Sequence, residues 1–205
     1  MSKARFEAFS DSVFAFAITL LVLGIALPAF KNPPSERELT HALLHLWPSL
    51  LAYALSFAVI GIMWQNHHAL FRLVDGIDRT TIFLNLALLG VTVFIPFATS
   101  TLGAYPTMRS STFLYGLTLT SSATVYNLLV MHLRRSGVFS AHVSRSKVQQ
   151  TLVSYRVGWA TYTIATLSSL LAPVLSFALY LCVAAYFLFP HGLDADIRDT
   201  SRQER

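Results

Sequence analysis

Long apolar runs alternate with short polar or basic segments along almost the whole chain. The first run, about 5–29, carries Arg5, Ser10 and Asp11 in its opening turns and ends at Pro28 and Lys31-Asn-Pro-Pro-Ser-Glu36. Pro33 and Pro34 cannot continue a helix, so a true connection follows. Five more runs lie at about 43–71, 80–102, 111–133, 152–171 and 173–189. Pro48 is tolerable near the start of the second, and Pro96 predicts a kink inside the third. Runs of this length predict transmembrane helices, six in all, in a single domain over 1–190 with a short charged tail at 191–205. The fourth and fifth runs are dense in Ser and Thr, which helix–helix interfaces in lipid favour.

Composition narrows the class. Of 205 residues 54% are hydrophobic and only 12% charged, where a soluble domain carries about a quarter charged residues. The expectation is an all-α integral membrane protein, multi-pass, with lipid as its surroundings. The formal charge of +5 does not point to nucleic acid, because the basic residues sit between and just outside the apolar runs. With the N-terminus inside, only Lys31, Arg37 and Arg109 of the 15 Lys and Arg residues fall outside. That bias predicts both termini in the cytosol. The N-terminal run is too long for a signal peptide and is interrupted by Asp11, so a retained helix is expected. The single Cys182 excludes an internal disulfide. No glycine-rich phosphate loop and no hydrolase motif is present, so neither an enzyme nor a cofactor nor a small-molecule substrate is expected.

Chemistry is gathered at one depth. Ser10 and Asp11 on the first run, His67 and His68 near the inner end of the second, and Asn85 near the inner start of the third come within about 10 Å of the cytosolic boundary at 1.5 Å rise per residue. A hydrogen-bonded network among them would satisfy groups that lipid cannot. Two sharper readings stay open, a proton relay or pH sensor built on Asp11, His67 and His68, and a metal site on the same three. Adjacent histidines project about 100° apart on a helix, which weighs against chelation. Trp64 shares a face with both histidines and reads as an interfacial or core aromatic. Arg5 can snorkel to water.

Arg5-x-x-x-Phe9-Ser10-Asp11 at the head of an Ala/Phe/Ile/Thr/Leu-rich helix resembles the signature of the transmembrane protein 175 family. The likeness extends over the six-span layout and the Trp64–His68 and Asn85 neighbourhood. The resemblance implies a potassium channel similar to the family's short prokaryotic members, in a prokaryotic cell membrane. It also implies four identical chains around one pore lined by the first helix, with the signature Ser and Asp tying helices together. Carried onto this chain, the constriction falls at Phe16, with layers at Leu20, Leu23 and Leu27 and a hydroxyl at Thr19. An ideal wheel places Phe16, Leu20, Leu23 and Leu27 within about 60° and Asp11 about 140° away. The opposite face, with Phe14, Ile18, Leu21 and Ile25, is equally apolar. Phe16 departs from the aliphatic residue common in the family. No carbonyl filter of the Thr-Val-Gly-Tyr-Gly kind is present.

The expected function is passive, potassium-preferring conduction through an apolar constriction. The alternatives are a proton-permeable or pH-sensing channel or secondary transporter using Asp11, His67 and His68, and a non-conducting structural membrane protein. A transporter would place buried charge near the midplane in paired halves, whereas the polar groups here gather at one end.

Overall fold

A computed structural model describes residues 2–140 and 145–187. Among them lie seven α-helices: α1 (Lys3–Leu20), α2 (Glu36–Leu44), α3 (Trp47–Arg72), α4 (Arg79–Ala104), α5 (Arg109–Arg135), α6 (Arg145–Ser168) and α7 (Pro173–Phe187). The tail expected at 191–205 and the last two residues of the sixth run lie outside the described residues.

The boundaries differ from the sequence reading in three places, each with a local cause. The first helix was expected to reach residue 29. Instead α1 ends at Leu20, tightens into a 3₁₀ turn over Leu21–Gly24 and becomes extended at Ile25. Gly24 suits such an end. It lies against α4, where an added Cβ would come 3.0 Å from the Ser100 Cβ. Pro28 then disfavours helix at the residue before it.

Second, the polar connection contains a helix of its own. Ser35 opens α2 with a reciprocal capping box: the Glu38 N–H donates to Ser35 Oγ, and the Ser35 N–H and Oγ–H donate to Glu38 Oε2 at 2.8 and 2.7 Å. The Ser35 backbone N–H, helped by the hydroxyl, holds the Glu38 carboxyl below its ordinary range. The residues at 43 and 44 therefore end α2, and α3 starts at Trp47 with Pro48 in its first turn.

Third, α6 begins at Arg145 rather than near 152. Polar residues do not forbid a helix once it has left the bilayer, so apolarity marks the span and not the helix end. Helix α4 runs unbroken through Pro96, although proline removes one N–H from the ladder.

Helix α4 is the central neighbour, packing against α1, α3 and α5, while α5 carries α6 and α7 and α7 closes onto α3. One core gathers Phe14, Leu21, Leu55, Ile60, Ile95 and Tyr115, and another gathers Phe6, Phe71, Leu88, Leu129 and Leu133. The α5–α6 seam is sewn with hydroxyls and amides, as the Ser/Thr density suggested. Thr120 Oγ1 meets Thr166 Oγ1 at 3.0 Å, the Trp159 indole donates to Thr124 Oγ1 at 2.8 Å, and Asn127 Nδ2 donates to the Tyr155 carbonyl at 3.2 Å. Gly116 leaves room for Tyr180 to cross it and donate to the Thr112 carbonyl at 3.1 Å.

Among the described residues, four segments are long and apolar enough to cross a membrane: Lys3–Gly24, Trp47–Arg72, Arg79–Ala104 and Arg109–Arg135. Helix α7 is apolar but has 15 described residues, and α6 is long but more polar. Among the described residues, length and apolarity alone thus mark four of the six spans expected.

Asp78 fixes the corner where α4 starts beside the end of α5. Its Oδ1 accepts from the Thr81 hydroxyl at 2.6 Å and the Thr81 N–H at 2.7 Å, capping α4. Its Oδ2 lies 2.9 Å from His132 Nε2 at the end of α5. The Thr81 hydroxyl and N–H, with His132 adding to them, lower the Asp78 pKa from 3.8 to about 2. A depressed carboxylate pKa adds stability that is present above the unfolded value of 3.8 and lost as pH falls through about 2. Asp78 is 47% exposed, so screening leaves the cap as the main contribution. We therefore expect Asp78→Ala to cost about 1 kcal/mol near neutral pH. In thermal melts of detergent-solubilised protein the gap from wild type should close as the pH approaches 2.

Candidate functional site

Helix α1 has two unlike faces. Phe6, Ser10, Phe14, Ala17 and Leu21 recur at steps of three and four, and all are buried against α3 and α4. Ser10 is fully buried, and its hydroxyl donates to the Phe6 carbonyl one turn back at 3.0 Å. It also accepts from Asn85 Nδ2 on α4 at 2.9 Å. Asn85 Oδ1 in turn lies 2.8 Å from His67 Nε2 on α3. A carbonyl oxygen only accepts, so the His67 proton sits on Nε2. The bonds run in one direction, from His67 through Asn85 and Ser10 to the Phe6 carbonyl. Three helices are joined by it.

An aromatic cage surrounds this chain of bonds. Phe71, Phe14 and Phe6 stand 4.6, 5.4 and 6.4 Å from the His67 ring, centroid to centroid. In such surroundings a lost hydrogen bond is not replaced by water, which raises the cost of breaking the chain.

Asp11 is not part of it. One residue further round the helix, its Oδ1 accepts from the Trp64 indole N–H at 2.9 Å. The Trp64 ring stacks near His68, 6.1 Å between centroids. Trp64 and His68 are exposed, whereas His67 is buried. The structure thus splits the polar set that the sequence placed at one depth. Ser10, Asn85 and His67 form an interior chain, and Asp11, Trp64 and His68 form a peripheral group. The Asp11–Trp64 bond was not anticipated, because the shared face of Trp64 with the histidines gave no sign of a carboxylate across the helix gap. The caged chain had a sequence signal: Phe6, Ser10 and Phe14 follow one another at four-residue steps.

The other face of α1 is bare. Arg5, Phe9, Ser12, Phe16 and Thr19 are exposed along it, with Phe16 at 58%. Leu20 is half-buried, and Leu23 is 74% exposed. The sequence wheel could not choose between two apolar faces. Here Phe14 and Leu21 turn into the chain's own core, which leaves the Phe16 face outward. The Thr19 hydroxyl donates to the Phe16 carbonyl at 2.8 Å, which fixes its rotamer and leaves its lone pairs outward. Leu23 belongs to the 3₁₀ turn and Leu27 lies beyond it, so the ideal wheel holds only as far as Leu20.

A second polar layer, absent from the sequence reading, ties α3, α4 and α5 in the opposite half of the bundle. Thr99 Oγ1 donates at 2.7 Å to Ser56 Oγ, which lies 3.0 Å from the Tyr115 hydroxyl. All three are buried.

Apolar spans held by buried hydrogen bonds, with one helix presenting an apolar stripe to no neighbour in its own chain, define a helical membrane protein. The chain belongs to the TMEM175 family: the family model described as endosomal/lysosomal potassium channel TMEM175 matches residues 5–96. A potassium channel of Streptomyces collinus is 37% identical over 192 residues, spanning 91% of this chain and 92% of that one. The crystal structure of a lysosomal potassium-selective channel TMEM175 homolog from Chamaesiphon minutus superposes with a TM-score of 0.82 at 37% identity. That match covers 91% of this chain and 96% of the other. The mouse endosomal/lysosomal proton channel TMEM175 is 39% identical over 103 residues, 48% of this chain and 21% of that protein.

If the caged chain sets the rotation of α1, its middle member should matter most. Asn85→Leu leaves both the His67 N–H and the Ser10 hydroxyl short of a partner, and we expect a loss of about 1–2 kcal/mol. Trp64→Phe deletes one bond to a half-exposed carboxylate and should cost less than about 1 kcal/mol. Thermal unfolding midpoints in detergent measure both. Equal midpoints for Asn85→Leu and wild type would remove this chain from the account.

Proposed function

We propose that the protein is a potassium-preferring cation channel in a cell membrane, a homotetramer whose pore is lined by the bare face of α1. The observation that carries the reading is the two-faced first helix. One face is hydrogen-bonded and packed into its own bundle, and the other shows Phe16, Thr19 and Leu23 to no part of the chain. Exposed apolar surface on this scale marks lipid or another subunit. The names of the bacterial relatives, potassium channels over nearly the whole chain, support the second of these.

In this reading residues 1–190 form one channel domain of six spans, α6 and α7 being the last two, with both termini in the cytosol. The distribution of Lys and Arg supports that sidedness. Four Phe16 rings meet on the axis as the constriction. Leu20 and Leu23 form layers above it, and Leu27 follows in the non-helical segment beyond Gly24. Such a gate closes by dewetting and conducts when widened, with Thr19 offering the nearest hydroxyl. Transport is passive. Ser10 and Asp11 anchor α1 to α4 and α3, and Arg5 and Phe9 lie on the inner end of the pore face.

A second reading, proton permeation, draws on the name of the mouse relative and on the peripheral Asp11–Trp64–His68 group. Potassium flux into proteoliposomes tests the first. Phe16→Ala and Leu20→Ala should raise flux and bring sodium flux toward that of potassium, by several-fold in each case. Unchanged permeation of both ions in both variants would show that the pore face lies elsewhere. A dye-reported proton leak abolished by Asp11→Asn, in protein that remains tetrameric, would favour the second reading.

A further inference from the structure

Away from the α1 anchor, the short helix α2 carries His41 and, at its C-cap, His45. The His45 N–H donates to the His41 carbonyl at 3.1 Å, so the helical repeat holds through both residues and stacks their side chains on one face. The two rings stand 4.2 Å apart, centroid to centroid, and their Nε2 atoms are 3.1 Å apart. Both side chains are exposed.

That separation matches metal coordination. Two imidazole nitrogens at about 2.0–2.1 Å from one ion, subtending about 90–109°, lie about 2.9–3.4 Å apart. The i, i+4 histidine pair is also the spacing by which one helix face holds a transition metal. Glu38 lies three residues before His41 on the same face, and its negative charge offsets that of the neighbouring Arg37. Pro28 and Phe30, from the segment leaving α1, border the same cleft as Arg37, Glu38, His41 and His45.

We propose that His41 and His45 form a two-nitrogen site for a divalent first-row transition ion on the surface of α2. Imidazole suits Cu²⁺, Ni²⁺ and Zn²⁺, and affinity follows Cu²⁺ over Ni²⁺ and Cu²⁺ over Zn²⁺. With two protein donors the remaining positions are taken by water, so the ion exchanges freely and the site responds to its concentration. An ion there staples the last turn of α2 to the turn that leads into α3, beside the strap that joins α1 to α2. Under the topology proposed above, this strap is on the outer side of the membrane. The binding itself does not depend on the channel reading.

The test is calorimetric titration of untagged, full-length protein in detergent with copper(II), then nickel(II) and zinc(II). Wild type should bind one copper(II) per chain, with nickel(II) and zinc(II) weaker. His41→Ala and His45→Ala should each weaken copper binding at least tenfold. His132→Ala, which alters a half-buried histidine paired with Asp78, should leave it unchanged. The α2 variants change only exposed side chains, so their melting midpoints without metal should match wild type. Absence of binding to wild type, or wild-type affinity in either α2 variant, would overturn the proposal and leave the rings as a hydrogen-bonded pair.

Discussion

The rotation of the first helix about its own axis is the constraint on which the rest of this protein depends, and the Ser10–Asn85–His67 chain sets it. A buried hydroxyl and a buried amide have no alternative partner in an apolar interior, so the only low-energy rotation is the one that brings them together. Once Ser10 faces α4, residues at three- and four-residue steps from it are buried and those on the far side are bare. The interior position of Phe14 and the exposure of Phe16 are two results of one polar contact. Asp11 then falls beside α3 and takes the Trp64 indole.

The same logic is repeated at the other end of the bundle. Between helices in lipid there is little hydrophobic drive, and association rests on close packing and hydrogen bonds. The Ser56–Thr99–Tyr115 layer joins α3, α4 and α5 in the half of the bundle opposite Asn85. The α5–α6 seam adds its own hydroxyl and amide contacts. Two hydrogen-bonded layers with apolar packing between them make a rigid frame. Against that frame, α1 is firm at the end where two bonds hold it, Asn85 to Ser10 and Trp64 to Asp11. It loosens toward Gly24, where the α-helix gives way to a 3₁₀ turn and an extended segment.

A sequence reading of this chain was informative in proportion to how local the controlling physics is. Helical class, membrane habitat and the polar set at one depth are written in composition and periodicity, because each residue meets the bilayer or the helix repeat on its own. Capping is nearly as local. The Ser35–Glu38 box that starts α2 has a plain three-residue spacing, and the expectation of an irregular connection passed over it. The end of α1 was harder. Its apolar residues continue to Leu27, while the backbone stops at Leu20 because Gly24 closes on Ser100 from another helix.

By itself the sequence determined that the chain is helical, that it lives in a membrane, and that Ser10, His67 and Asn85 need partners. Only the tertiary structure decided who pairs with whom. His67 turned inward to Asn85, and Asp11 turned to an indole instead of a histidine. It also decided which of two equally apolar faces of α1 is covered. Hydrophobicity is indifferent to direction around a helix. Hydrogen bonds are not, and the partner that breaks the tie is 75 residues away along the chain.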